Sequence, residues 1–106
     1  MNAKASPYVT HLPDALAHGV EVRARCTAVR VAVDERDRAT GVVYMREGEV
    51  VERHQRARMV AVAGYSIETP RLLLNSATGR HPRGLCNDED QVGRYVMVQG
   101  ACQTAG

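Results

Sequence analysis

Residues 61–76, which read AVAGYSIETPRLLLNS, decide how this chain is expected to fold. Small and β-branched apolar residues run up to Ala63-Gly64, and the apolar stretch Leu72-Leu73-Leu74 follows after a short polar loop. This order predicts a buried strand, a tight loop and then a helix. Ligands of open α/β sheets bind beyond the carboxyl ends of the strands, so the loop at Gly64 is the leading candidate for a binding site.

The helix after this loop is predicted over 69–78. Thr69 is a favourable N-cap residue, and Pro70 suits the first helical position because it needs no N–H there. The run before the loop, residues 59–63 (MVAVA), is apolar at every position. Such a run is typical of a strand that is buried on both faces of a parallel sheet.

The first part of the chain predicts another helix over 8–18. Val9, Leu12 and Leu16 recur there at helical spacing, and Gly19 is a favourable residue just past a helix end. A loop-rich tail is predicted over 79–106, where glycine, proline and acidic residues interrupt any apolar pattern.

A strand and meander region is predicted over 20–63. Val20 and Val22 alternate with charged residues, which is a strand pattern. Three further strands, joined by polar turns, are expected to form an antiparallel meander, and they begin near Val29, Thr40 and Val50. In the tail, residues 92–98 are predicted to form a short extended piece.

Composition and charge exclude several classes of function. The net charge is +2, and the 14 Lys and Arg residues are interleaved with 12 Asp and Glu residues. This is a mixed solvated surface rather than a basic stripe, so no nucleic-acid partner is expected. No stretch approaches the ~20 apolar residues of a membrane span, and the start of the chain lacks the apolar core of a signal peptide. The compartment stays open: cytoplasmic, or periplasmic if a partner subunit carries the chain.

The predicted core is small. The chain has no Phe, no Trp and only four Tyr, so valine, alanine, leucine and methionine must fill the core. We therefore expect marginal stability for the isolated chain. The three cysteines, Cys26, Cys86 and Cys102, show neither a disulfide framework nor the spacing of zinc ligands, and no metal site is expected.

The segment from Ala63 to Ser76 resembles the second signature of the glucose–methanol–choline (GMC) oxidoreductases, which are FAD-dependent enzymes that oxidise alcohols and sugars. The wording of 67–76, IETPRLLLNS, is most similar to the gluconate 2-dehydrogenase flavoprotein subunit and its sugar-dehydrogenase relatives. Further stretches agree in order and spacing: Thr10–Leu16, Val29–Val31 with Thr40–Val42, and Gly84–Asn87 with Val92–Arg94.

The resemblance implies an α/β fold, a partial Rossmann-like FAD-binding domain that contains the meander, a buried strand of parallel type and the following helix. It implies four cofactor-binding residues: Ala28, whose backbone would bind the adenine edge, and Ala63, Gly64 and Tyr65 in the signature loop. Its implied partners are an alcohol or sugar substrate, the remaining part of the FAD domain, and small and cytochrome subunits as in gluconate dehydrogenases.

Two features of the family are absent from this sequence. No GxGxxG phosphate-binding loop occurs among the nine glycines, and no histidine lies in the context of the family's catalytic base. We therefore expect an internal piece of the FAD domain that has no catalytic residue and is inactive by itself. Two alternatives stay open: a small non-catalytic meander module that binds a protein partner, and a degenerate gene remnant.

Overall fold

The computed structural model describes residues 5–97, which form two helices and one three-stranded sheet. In chain order, the elements are α1 (His11–Ala17), β1 (Cys26–Val33), β2 (Ala39–Arg46), β3 (Arg53–Arg56) and α2 (Tyr65–Asn75). Cys102 and the end of the extended piece predicted over 92–98 lie outside the described residues.

The sheet is an antiparallel meander with the order β1-β2-β3, which confirms the mixed α/β class and the meander predicted from the alternating valines. The tight turn between β1 and β2 is organised by Asp34. Its Oδ1 accepts the backbone N–H groups of Arg36 (2.9 Å) and Arg38 (3.0 Å), and its Oδ2 accepts the Arg38 guanidinium. Hydrogen bonds from the backbone N–H and the guanidinium of Arg38 are the main reason that the pKa of Asp34 lies below its ordinary value.

Helix α2 lies against β1, and one serine joins the two elements. Ser76, which follows α2 and is 1% exposed, accepts the Val31 N–H at 2.8 Å through its Oγ. The same hydroxyl donates to the Leu72 carbonyl at 2.6 Å, one turn back in the helix. Because β1 is an edge strand, this serine supplies the Val31 N–H with a partner outside the sheet.

The loop after α2 folds back and closes the small core. Its Leu85 N–H donates to the Leu73 carbonyl at 2.9 Å, near the end of the helix. Asn87, 3% exposed, donates to the Arg83 carbonyl and accepts the Val92 N–H, which fixes the turn between them.

The core is as small as the composition predicts. Within the described residues, the buried hydrophobic side chains are those of Val31, Val43 and Leu85. The Cα radius of gyration is 17.3 Å, well above the roughly 13 Å of a compact domain of about 100 residues. Large apolar side chains such as Val50 and Met59 are almost fully exposed. Much of the apolar surface of this chain is therefore uncovered.

Four predictions about local structure are wrong. The segment with Val20 and Val22 forms no strand; Arg23 holds it over the sheet through bonds to Gln55 (2.7 Å) and Tyr44 (3.3 Å). Residues 59–63 are also irregular, because no strand in the described part of the chain pairs with them. Their side chains are half-buried at alternate positions and exposed between them, rather than buried on both faces.

Helix α2 begins at Tyr65, four residues before the predicted start, and Pro70 lies inside it. Gly64 takes the N-cap position, which glycine fills acceptably, and Glu68 lies in the first turn. A carboxylate there is favoured by the helix dipole, so the helix starts before the Thr69-Pro70 signal. The residues described after 91 form turns instead of the predicted extended piece.

Two substitutions test the meander. Val31 is buried and Val33 half-buried on one side of β1, whereas Arg38 is exposed at the turn. In the intact domain, we expect Val31→Asp to abolish the folded state, because an unpaired carboxylate would enter the core. Arg38→Ala should change the free energy of unfolding by no more than about 0.5 kcal/mol. Urea denaturation followed by circular dichroism compares the two, and equal effects would contradict the assigned faces.

A second prediction concerns the contribution of the Ser76 hydroxyl to stability. Ser76→Ala leaves the Val31 N–H buried without a partner, so it should lower the free energy of unfolding by about 1–3 kcal/mol. The matched control is Ser66→Ala, which removes a hydroxyl from the first half of α2 that no hydrogen bond within the described residues uses. A loss that is no larger for Ser76→Ala than for Ser66→Ala would show that the bridge contributes nothing.

Candidate functional site

A cleft of about 640 Å³ lies between the start of β1 and helix α2. Three segments line most of it: residues 26–29 of β1, the irregular run 60–64, and one face of α2 with Glu68, Arg71 and Asn75. We name it the β1–α2 cleft. Ala28, Ala63 and Gly64, three of the four predicted cofactor-binding residues, are among its lining residues.

The wall formed by β1 carries an irregularity of the sheet. Ala28 pairs with Tyr44 and Arg30 pairs with Val43, so Val29 is an extra residue that has no partner on β2. Such bulges disturb the ladder and often occur beside binding sites. Ala28 is exposed at this point and is one of the residues that line the cleft.

Residues 60–64 form a second wall of the cleft. Within the described residues, none of the N–H groups of 60–64 donates a hydrogen bond. Backbone N–H groups removed from water are nearly always paired, so these groups need a ligand, a neighbouring strand or solvent. The small side chains of Ala61 and Ala63 leave the backbone accessible from the cleft.

Close packing against the first turn of α2 favours glycine at residue 64, apart from any contact with a ligand. The φ of Gly64 is −84°, so its place does not depend on a left-handed conformation. A Cβ at this position would lie 3.1 Å from both the Cβ of Glu68 and the backbone N of Thr69. A side chain at residue 64 would therefore disturb the first turn of α2, whether or not a ligand lies nearby.

Tyr65 differs from the other three predicted site residues. Its side chain is 77% exposed and is not part of the cleft lining. Tyr65 also has a left-handed backbone conformation, with a φ of +61°, whereas Gly64 does not. A tyrosine in this conformation is uncommon and stores a small amount of backbone strain.

Polar side chains lie along the rim of the β1–α2 cleft. Glu68 and Arg71 form an ion pair at 2.9 Å, and both side chains are more than half exposed. Such a pair adds little to stability. Asn75 lies one turn further along α2, and the Thr27 hydroxyl belongs to the opposite wall. Together they offer hydrogen-bond donors and acceptors around a floor of alanine and valine.

Other candidate groups lie outside this cleft. His81 is 20% exposed rather than a free surface residue, and its Nε2 lies 3.0 Å from Asp37 Oδ1. Cys26 and Cys86 are free thiols. The part of the chain that the structure describes contains no group of histidine, cysteine and acidic residues that could hold a metal ion. None of its helices is long and apolar enough to cross a membrane.

Sequence reasoning missed two features of the site. The bulge at Val29 has no signal in the sequence, because the valines at 29, 31 and 33 continue the strand pattern through it. Glu68, Arg71 and Asn75 follow the spacing of a helix face, i, i+3 and i+7, but that face could be recognised only with the start of α2 at Tyr65.

Comparisons with known proteins show the family of this chain. A family model for the GMC oxidoreductases matches residues 1–99. The 2-methyl-1,2-propanediol dehydrogenase of Mycolicibacterium austroafricanum is 36% identical over 93 residues, which are 88% of this chain and 17% of that protein. The fructose dehydrogenase large subunit of Gluconobacter japonicus is 30% identical over 79 residues, which are 74% of this chain and 14% of that protein.

The chain thus spans less than a fifth of the length of these curated relatives. The matched model describes the N-terminal, FAD-binding domain of its family. The bulged strand, the free backbone of residues 60–64 and the small lining residues fit a flat cofactor ring held by main-chain atoms. This chain belongs to the GMC oxidoreductases, flavoproteins whose cofactor is FAD.

Proposed function

We propose that this chain forms part of the adenine side of the FAD site in an oxidoreductase that acts on CH–OH groups of alcohols or sugars. The observation that carries the proposal is the β1–α2 cleft, which is lined by Ala28 and by residues 60–64, whose N–H groups donate no hydrogen bond within the described residues. An adenine ring offers donors and acceptors along its edge and two apolar faces, so main-chain groups and alanine side chains can hold it without a dedicated side chain.

The residues of this chain bind and orient; they do not react. The backbone N–H and C=O of Ala28 hold the adenine edge, and Ala63 and Gly64 contribute main-chain atoms on the opposite wall. Tyr65 contributes only through its backbone. Arg71, at the rim, provides positive charge for the phosphates. The flavin ring of FAD supplies the oxidising chemistry when the cofactor is bound.

The class of substrate follows from the family and from the names of the relatives. One relative is named for a diol and the other for a sugar, so oxidation of a hydroxyl-bearing carbon is common to both. The wording of 67–76 supports the finer proposal of a gluconate 2-dehydrogenase-like enzyme. In that case small and cytochrome subunits are its partners. The name of the fructose dehydrogenase large subunit is in keeping with such an assembly.

The exposed apolar residues support a place within a larger domain. Met59, Val50 and the alternate positions of 59–63 stay uncovered, although apolar patches of this kind are normally buried. The remaining part of an FAD-binding domain would cover them and would give residues 59–63 strand partners.

A non-catalytic meander module is the second candidate. Strand β3 is an open edge of the sheet, and all four of its residues are exposed, so another chain could pair with it. Such a module must be stable by itself. A cooperative urea transition of the isolated chain favours the module, whereas a broad transition that sharpens when the rest of the domain is added favours the FAD-domain segment.

A steric block tests the cofactor assignment. Ala63→Phe places a ring in the β1–α2 cleft, so the affinity for ADP, which represents the adenine half of FAD, should fall by about tenfold or more. Ala77→Phe, an exposed position beyond α2 that does not line the cleft, is the control and should leave the affinity unchanged. Isothermal titration measures both. Equal ADP affinity for the two variants would exclude the cleft as the nucleotide site.

The chain by itself should not oxidise gluconate, glucose or simple alcohols. It has neither a GxGxxG loop nor a histidine placed as the family's base. Reduction of an artificial electron acceptor by the purified chain with added FAD, measured against a sample without substrate, would refute this expectation.

A further inference from the structure

A second groove, of about 670 Å³, lies near the β1–β2 turn, at the end of β1 away from residues 26–29 of the β1–α2 cleft. It runs between the β1–β2 turn and the end of β3. Its charged lining residues are three arginines and one aspartate: Arg38, Arg56, Arg58 and Asp34. We name it the arginine groove. Its formal charge is therefore positive.

The one carboxylate in the arginine groove is already engaged. Asp34 accepts the Arg38 guanidinium at 3.0 Å and 2.8 Å as well as two backbone N–H groups of its turn. Among the described residues, Arg56 and Arg58 form no ion pair with any carboxylate. Two guanidinium groups of the groove are thus left without an anionic partner.

The floor of the groove is made of small residues. Arg56 pairs across the sheet with Gly41, where a Cβ would come within 2.1 Å of the Gln55 carbonyl oxygen. The Ala57 N–H donates to the Thr40 carbonyl at 3.0 Å and extends the β2–β3 pairing by one step. Ala39 and Ala57, whose side chains are small, lie among the arginines in the lining of the groove.

Exposed charge on an edge strand also discourages unwanted strand pairing. That role requires only that the arginines be exposed. It does not require that they line one groove, that the groove have a floor of small residues, or that the only carboxylate be neutralised within its own turn. These additional observations indicate a ligand.

We propose that the arginine groove binds a phosphate group, with Arg56 and Arg58 as its principal contacts. A guanidinium presents parallel N–H donors that match two oxygens of one phosphate, and arginine is less strongly hydrated than lysine. The phosphate belongs either to a free inorganic anion or to a phosphate ester, and both carry the same recognised group. The Thr40 hydroxyl lies beside the groove as a further donor.

The test is a titration of the ¹⁵N-labelled chain with pyrophosphate at constant ionic strength. Amide signals of residues 38–41 and 55–58 should shift, and Arg56→Gln combined with Arg58→Gln should weaken the binding by about fivefold or more. Arg56→Lys combined with Arg58→Lys keeps the charge but loses the paired donors, so it should give an intermediate affinity.

The control is Arg25→Gln combined with Arg46→Gln, which removes two exposed charges at the other end of the β1–β2 pair. It should leave the affinity unchanged. Equal weakening in the groove and control variants, or no shift with pyrophosphate beyond that caused by the same ionic strength of sodium chloride, would overturn the proposal.

Further arms identify the source of the phosphate. If AMP binds the groove no more tightly than inorganic phosphate, the site takes the free anion. If AMP binds more tightly, the site takes a phosphate ester. Shifts at 38–41 and 55–58 with adenosine alone would contradict recognition through phosphate. Because these residues do not line the β1–α2 cleft, failure of this proposal leaves the cofactor assignment untouched.

Discussion

The hydroxyl of Ser76 is the interaction on which the rest of this structure depends. It accepts the Val31 N–H from an edge strand and donates to the Leu72 carbonyl of α2, in a chain where few hydrophobic side chains are buried. Hydrophobic packing alone would hold a helix against a sheet in many positions. Here a buried N–H must meet its acceptor, because leaving it unpaired would cost about 1–3 kcal/mol. That requirement fixes the register of α2 on β1.

The β1–α2 cleft follows from this constraint. Ser76 joins the far end of α2 to the middle of β1, so the first turns of the helix and the first residues of the strand diverge from a common anchor. The bulge at Val29 widens the gap on the side of the strand. Residues 60–64 then cross the opening, and their N–H groups donate no hydrogen bond to any residue between 5 and 97. We propose that this cleft holds the adenine ring of FAD, the cofactor of the family to which the chain belongs.

The sequence predicts some of these features well and others not at all. Alternating valines and polar turns are local signals, and they place the meander correctly because an antiparallel sheet forms between neighbours in the chain. The run 59–63 has an equally clear pattern, yet a parallel strand needs partners that are distant in sequence. The start of α2 is missed because Thr69-Pro70 is a strong local signal, whereas the real start at Tyr65 has an exposed tyrosine in a left-handed conformation. Ala28, Ala63 and Gly64 meet around one cleft, which a family pattern can suggest but only the fold can bring together.

Amide hydrogen exchange in the presence and absence of ADP tests the central claim most directly. ADP should slow exchange at residues 26–29 and 60–64, which line the β1–α2 cleft. Ser76→Ala should speed exchange at Val31 and reduce the protection that ADP gives at Ala28, because the anchor of the cleft is lost. Protection by ADP confined to other segments, or full protection at Ala28 in the Ser76→Ala variant, would contradict the account.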